Sequence, residues 1–442
     1  MKNWKKWLCV AFLFGYALVL CGCAMTVEQM YCLPRRSERY ENLQTVMEQA
    51  MDSLEYSAPV AGENQQIVQM ADLDGDSNSE VILFAKGGET HPLKILLFTP
   101  VEEGYKYLTT IESNGTGFDQ VEYVQMDGKP GLEMIVGCKV SDQVLRNVSV
   151  YGFSGGEPEQ MMNANYVQFL TCDLDGDALS DLFLIHPGAE ESEQAVAELY
   201  SMSGGNVKCS EQAELSVSSD KLRRIVTGKL ETGEPSVYVA GLAGEKAVIT
   251  DVFALVRGTF TNVSFSNESG TSVQTLRDQY IYADDIDMDG VVELPDLISV
   301  QTPGSEENTS SQFLIRWYAM TISGSEVDKM YTYHNFLDGW YVELDQELAL
   351  RTVVLRDTAG GYQFNVLSED GQSNELLFTI YTLTGEDRLT VPQQDDLQEI
   401  LKTDNVVYAA KMEPLAAEYG MTVDRLSECF RLIQVDWKTG EM

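Results

Sequence analysis

The sequence predicts a mainly β protein: a propeller-like array of about five four-stranded units, followed by a small α+β C-terminal domain. Three observations predict it. An acidic loop recurs at intervals near 50 residues. An apolar-aromatic strand and a glycine turn recur in phase with it. After about residue 335 both repeats stop, while strand-forming segments continue.

The chain opens with Lys2, Lys5 and Lys6, then an unbroken apolar run, WLCVAFLFGYALVL, and then Leu20-Cys21-Gly22-Cys23-Ala24. A charged start and a short greasy middle describe a signal peptide over 1–22, and the run is short for a membrane span. The sequence around Cys23 resembles the bacterial lipobox, which implies cleavage before a lipidated cysteine. An uncleaved anchor helix is the alternative. By the resemblance, Cys23 is the acylated first residue of an extracytoplasmic protein held on the cell membrane, since paired acyl chains hold where one is marginal. Residues 23–63 then form a tether and an amphipathic helix: Tyr40, Leu43, Val46, Met47, Ala50, Met51 and Leu54 recur at helical spacing.

The array itself spans 64–335. ADLDGDSNSEVILF places Asp72, Asp74, Asp76 and Glu80 at positions 1, 3, 5 and 9 of a loop that runs into an apolar strand. DLDGDALSDLFLI repeats the spacing with Asp173, Asp175, Asp177 and Asp181. DIDMDGVVELPDLI repeats it with Asp285, Asp287, Asp289 and Glu293. Two weaker copies fill the gaps: Gln125, Asp127, Lys129 and Glu133, and a stretch from Gly228 that keeps only a turn and a strand. Position 1 therefore falls at 72, 125, 173, 228 and 285. LKILLFTPVEEGYKYL, NVSVYGFSGGEPEQ, VAELYSMSGGNV, DVFALVRGTFTNV and IRWYAMTISGSEV supply the in-phase strand and turn. About four strands per 50-residue unit is a propeller pattern, and such units must stack to hide their faces.

Carboxylates at positions 1, 3 and 5 of a tight loop converge on one point. A position 7 carbonyl (Asn78, Leu179, Val291) and a position 9 acid can close the shell of a Ca²⁺ ion, which takes six to eight oxygens. Structural Ca²⁺ at up to three loops is the expectation. A catalytic acid pair and a solvated acidic turn remain as alternatives. The loops resemble the FG-GAP/VCBS class of repeat, found in integrin-like propellers and bacterial surface proteins; that resemblance implies calcium-binding loops between blade strands. It is specific in the three full copies and leaves metal binding doubtful in the two weak ones. The loop from Asp285 also matches an EF-hand pattern, with Gly290 at position 6 and Asp296 at position 12. Its place in the 50-residue register favours the repeat.

From 336 to 442 the segments LRTVVLRD, YQFNVLSED, LLFTIYTLTG and VVYAAK read as strands. MTVDRLSECFRLI reads as a helix capped by Thr422, with Val423, Leu426, Phe430 and Ile433 on one face. DGWYVEL, IYTLTGEDR and WKTGEM are similar to the tails of uncharacterised Gram-positive lipoproteins.

Composition bounds the function. Hydrophobic content of 44% is that of a globular protein, but the net charge is −39, so a nucleic-acid partner is not expected. His91, His186 and His334 lie in separate segments and suggest no zinc site. Cys32, Cys138, Cys172, Cys209 and Cys429 form no disulfide framework. Trp317, Tyr318, Tyr333 and Trp340 fit buried strand positions or a sugar platform. No nucleophile–base pair or HExxH is evident. The expected role is surface binding or scaffolding, through the lipid anchor and an unidentified protein or glycan ligand. An envelope enzyme acting on glycan or peptidoglycan is the alternative.

Overall fold

The computed structural model describes residues 38–88, 92–140, 146–188, 193–299, 313–386, 388 and 396–433. The leader with Cys23, His91 and the terminal WKTGEM lie outside them. Among the described residues no helix is long and apolar enough to cross a membrane.

The chain is mainly β and folds into successive antiparallel sheets. Sheet one pairs both Glu55–Tyr56 and Val68–Ala71 with Glu80–Lys86, then adds Leu93–Val101 and Gly104–Ser113. Sheet two is Gly117–Val124, Glu133–Lys139, Arg146–Gly152 and Glu159–Tyr166. Sheet three is Gln168–Cys172, Asp181–His186, Val196–Ser203 and Asn206–Glu214. Sheet four is Leu222–Lys229, Pro235–Leu242, Val248–Val256 and Thr259–Asn262. Sheet five is Glu293–Ile298, Leu314–Met320, Glu326–Asn335 and Trp340–Leu344. In sheets two to five the strands follow sequence order, so that neighbours in sequence are neighbours in space.

The second strand of each unit is an apolar run rather than an alternation. EVILFAK and DLFLIH are buried at all but their last residue. A strand buried on both faces needs a neighbour on each side, so the sheets stack. Aromatic pairs mark most of the junctions. Phe84 meets Phe118 between sheets one and two, at 5.0 Å. Tyr166 meets Phe169 between two and three, at 5.1 Å. Phe183 meets Phe253 between three and four, at 5.4 Å. Tyr238, Leu294 and Tyr318 fill the next junction.

Among the described residues no sheet precedes sheet one, and helix α1 (Glu38–Ala50) covers its outer face. Leu43 and Met51 pack on Val81, Leu83, Phe98 and Tyr105, while Ile82 and Phe84 turn to sheet two. The Asn42 carboxamide oxygen accepts the Tyr105 N–H at 2.7 Å and fixes the helix to the hairpin.

The small α+β portion consists of a sixth sheet with α2 (Gln346–Ala349) and α3 (Val423–Cys429). Its strands run in the order Thr352–Arg356, Tyr362–Leu367, Asn374–Thr384, Val406–Met412, Gln398–Lys402. It shares one core with sheet five: Tyr333 contacts Phe364 at 5.3 Å and Trp340 contacts Tyr362 at 5.6 Å. Two corrections follow. The boundary drawn after residue 335 cuts a hairpin, because Asn335 pairs with Trp340 and Tyr331 with Leu344. The helix expected to run through Ile433 stops at Cys429, because Phe430–Leu432 returns to pair with Trp340–Val342. The Thr422 cap is present, accepting the Arg425 N–H at 3.2 Å. Trp317, Tyr318, Tyr333 and Trp340 are all buried, so they form no exposed sugar platform.

Candidate metal centres

Strand pairing sets the loops before any side chain does. The residue before position 1 faces position 9 in four copies: Ala71 with Glu80, Val124 with Glu133, Cys172 with Asp181, Asp284 with Glu293. In sheet four the equivalent pair is Gly228 with Ser236. That loop is one residue shorter, and position 1 falls on Lys229. Position 1 thus lies one residue later than the Gly228 taken from sequence, where Lys229 stands in place of the position 1 acid and the ladder sets the register.

Within each full copy the carboxylates bind the loop's own backbone. Asp72 accepts the N–H groups of Gly75 at 2.9 Å and Ser77 at 3.0 Å. Asp173 accepts those of Gly176 at 2.7 Å and Ala178 at 2.9 Å. Asp285 accepts those of Asp289 at 2.9 Å and Gly290 at 2.8 Å. The position 5 carboxylates of Asp76, Asp177 and Asp289 accept the N–H groups of Asn78, Leu179 and Val291. This winding requires left-handed backbone at positions 4 and 6: Gly75 and Ser77, Gly176 and Ala178, Met288 and Gly290. Outside glycine that conformation is costly, and a network of this kind over-determines it.

The result is three clusters of oxygens. Asp72, Asp74 and Glu80 each offer one oxygen within 4.8 Å of the others; so do Asp173, Asp175 and Asp177, and Asp285, Asp287 and Asp289. Asp76, Asp181 and Glu293 stand outside these triads. Burial and then neighbouring acids raise the affinity of Asp287 for its proton, and burial raises that of Asp175. Lys329 approaches the fifth loop from outside, 3.1 Å from Asp289 Oδ2 and 3.1 Å from Glu231 Oε2.

Position 9 has a separate duty that the spacing alone did not reveal. Its carboxylate accepts the N–H of position 2 in four copies: Glu80 from Leu73 at 3.0 Å, Glu133 from Met126 at 2.7 Å, Asp181 from Leu174 at 3.2 Å, Glu293 from Ile286 at 3.0 Å. All four position 2 side chains are buried apolar groups. The acid thus satisfies a donor that the apolar side chain draws into the core. The second oxygen differs between copies. Glu80 Oε1 accepts Thr99 Oγ1 and Asp181 Oδ1 accepts Ser201 Oγ. Glu293 Oε1 is buried without a hydrogen-bond partner, and burial, then the three aspartates, push this carboxyl up to about 8.

Neighbouring loops are stitched together. The N–H of position 8 donates to the carbonyl of position 1 in the preceding loop: Leu132 to Asp72 at 3.1 Å, Ser180 to Gln125 at 2.7 Å, Val292 to Lys229 at 3.1 Å. At the junction of sheets three and four the residue before the second-strand pair is Pro235, which has no N–H to give.

His186 bonds Glu198 through Nε2 at 3.2 Å and the Pro187 carbonyl through Nδ1 at 2.8 Å, so both ring nitrogens are engaged. His334 is buried among aromatic rings, and burial drives its basicity down. Among the described residues Cys138, Cys172, Cys209 and Cys429 are free thiols.

No family model matches the chain, and no curated protein matches it. One similar solved structure is Sqt1 of Saccharomyces cerevisiae, at 10% identity. The match covers 78% of this chain and 98% of that one, with a TM-score of 0.31. The fold assignment rests on the strand pairing described above.

Proposed function

We propose that this chain is a lipid-anchored binding or scaffolding protein of the bacterial cell surface, whose propeller-like array is stapled by Ca²⁺ at three loops. One observation carries the calcium part. Glu293 places a carboxylate oxygen in the core with no hydrogen-bond partner, and although it stands outside the triad, the negative charges of Asp287, Asp289 and Asp285 bear on it. A buried acceptor left unmade is costly, and so are like charges at this range. A divalent cation supplies the missing partner for both. The oxygen-only donor set suits Ca²⁺ rather than a softer metal. Asp72, Asp74 and Glu80, and Asp173, Asp175 and Asp177, would hold the other ions. The FG-GAP/VCBS resemblance supports the same reading.

The anchor rests on sequence: the lysines, the apolar run and Cys23 in its lipobox-like setting. Binding of a protein or glycan is assigned to the variable links between strands, because the loops are committed to holding sheets together. The stretch GFSGG at 152–156 matches GxSxG, but it lies in the turn between Arg146–Gly152 and Glu159–Tyr166 rather than in a strand-to-helix elbow, which supports a binding role over an envelope enzyme.

The test has two arms. In a Gram-positive host, the full chain partitions with membranes and Cys23→Ser releases it to the medium. Residues 24–442 then bind a cell-wall or surface component saturably without converting it. Steady turnover of a glycan, abolished by Asp173→Ala in a protein that remains folded, would overturn the reading in favour of an enzyme.

A further inference from the structure

We infer that Gln125 and Lys129 perform in the second loop the work assigned to a cation in the others, so that this loop is closed with no metal. The inference rests on the calcium reading only for its comparison. In a calcium loop an ion attracts the position 7 carbonyl and neutralises the position 3 carboxylate. Here the Gln125 amide Nε2 donates to the carbonyl of Gly131, at position 7, at 2.8 Å, and also to the carbonyl of Lys129. The Lys129 ammonium meets Asp127, at position 3, at 2.6 Å. Gln125 Oε1 accepts the N–H groups of Asp127 at 3.1 Å and Gly128 at 2.8 Å, the turn-closing duty of a position 1 aspartate. One amide thus replaces an aspartate with its oxygen and an ion with its nitrogen. An aspartate cannot do both, since it has no donor.

The backbone agrees. Position 6 is Pro130, whose ring excludes the left-handed conformation that Ser77, Ala178 and Gly290 adopt there. The left-handed residue moves to Gly131, packed so closely on the first loop that a Cβ there would lie 2.4 Å from the Leu73 carbonyl oxygen. The second loop also donates to Asp72 through Leu132 and accepts from Ser180 through Gln125. It is therefore a cation-independent clasp between the first and third loops. Chelation is expected to loosen the loops on either side while the clasp stays shut.

The experiment uses residues 24–442 and Ca²⁺ itself. Gln125→Asp with Lys129→Asp and Pro130→Gly rebuilds the acidic spacing and frees position 6. Equilibrium dialysis is expected to find one more Ca²⁺ per chain than in the parent. A parent that binds Ca²⁺ and a triple variant that binds no more would overturn the inference. A parent that binds none overturns the calcium reading instead, and the clasp is then judged in EDTA. There, Gln125→Ala is expected to speed hydrogen exchange at the Asp127 and Gly128 amides about tenfold, the loss of one hydrogen bond. Unchanged exchange at those amides would overturn the clasp whatever the parent binds.

Discussion

Replacing Glu293 by glutamine is expected to stabilise the metal-free protein at neutral pH. The wild-type carboxyl is fully buried, and burial with the neighbouring aspartates pushes it up from 4.5 to about 8. A carboxyl raised in the folded state holds its proton where the unfolded chain has released its own. The folded state is therefore penalised as pH rises above about 4.5, and the penalty is fully developed near pH 8. At pH 7 it amounts to at most about 3 kcal/mol. Glutamine keeps an oxygen for the Ile286 N–H, carries no charge, and presents donors where three aspartates gather. In EDTA at pH 7, Glu293→Gln should therefore unfold at higher urea than the parent; at pH 4.5 the advantage should vanish. With Ca²⁺ the order reverses, because the carboxylate then has its counter-ion. Urea titrations at the two pH values, with and without Ca²⁺, read all four cases. A variant that is destabilised in EDTA equally at both pH values would refute the argument.

Further outcomes follow from the same geometry. Phe183→Ala removes a buried ring that contacts Phe253 and Phe260, and should cost about 3–5 kcal/mol in urea unfolding while leaving Ca²⁺ binding by sheet one intact. A loss below 1 kcal/mol, read from the same titration, would contradict the junction as drawn. Lys329→Met removes an ammonium that competes for Asp289, so Ca²⁺ should bind the fifth loop several-fold more tightly by calorimetry. Of the four described thiols, Cys209 is exposed, whereas burial pushes Cys138 up to about 12. Maleimide labelling of the native protein should therefore mark Cys209 first, and Cys138 only in denaturant. A Cβ at Gly104 would lie 2.2 Å from Asn42 Oδ1 on a left-handed backbone, so Gly104→Ala should detach α1 and lower the melting temperature.

The array was legible because its signals are local. Asp72, Asp173 and Asp285 recur with spacing that needs no tertiary knowledge, and EVILFAK reads as a doubly buried strand on composition alone. The apolar face of α1 was legible for the same reason. What escaped depends on contacts far apart in sequence. Phe430 reads as a helix residue until Val342 offers it a strand edge from far earlier in the chain. The hairpin across residue 335 looked like a boundary because the acidic repeat stops there, although the sheet does not. At the loops, the three acids of each triad were named from spacing, but position 9 was read only as a ligand. Its bond to the position 2 N–H explains why Glu133 persists in a loop with lysine at position 5. The buried residues Leu73, Met126, Leu174 and Ile286 carried that signal in plain view. The fourth copy misled by one residue because it has lost the acids of positions 1 and 9 and one loop residue, although buried Leu230 at position 2 and Glu231 at position 3 keep the register.

The most direct test of the central claim is the Ca²⁺ content and Ca²⁺-dependent melting of residues 24–442, alongside Asp72→Asn, Asp173→Asn and Asp285→Asn. The account predicts up to three ions per chain, one fewer in each variant, and a melting temperature that rises with Ca²⁺ and falls in EDTA. Each saturated site adds about 2.7 kcal/mol at one hundred times its dissociation constant. A chain that carries no Ca²⁺ as purified, takes up none, and melts at one temperature in Ca²⁺ and EDTA would contradict it.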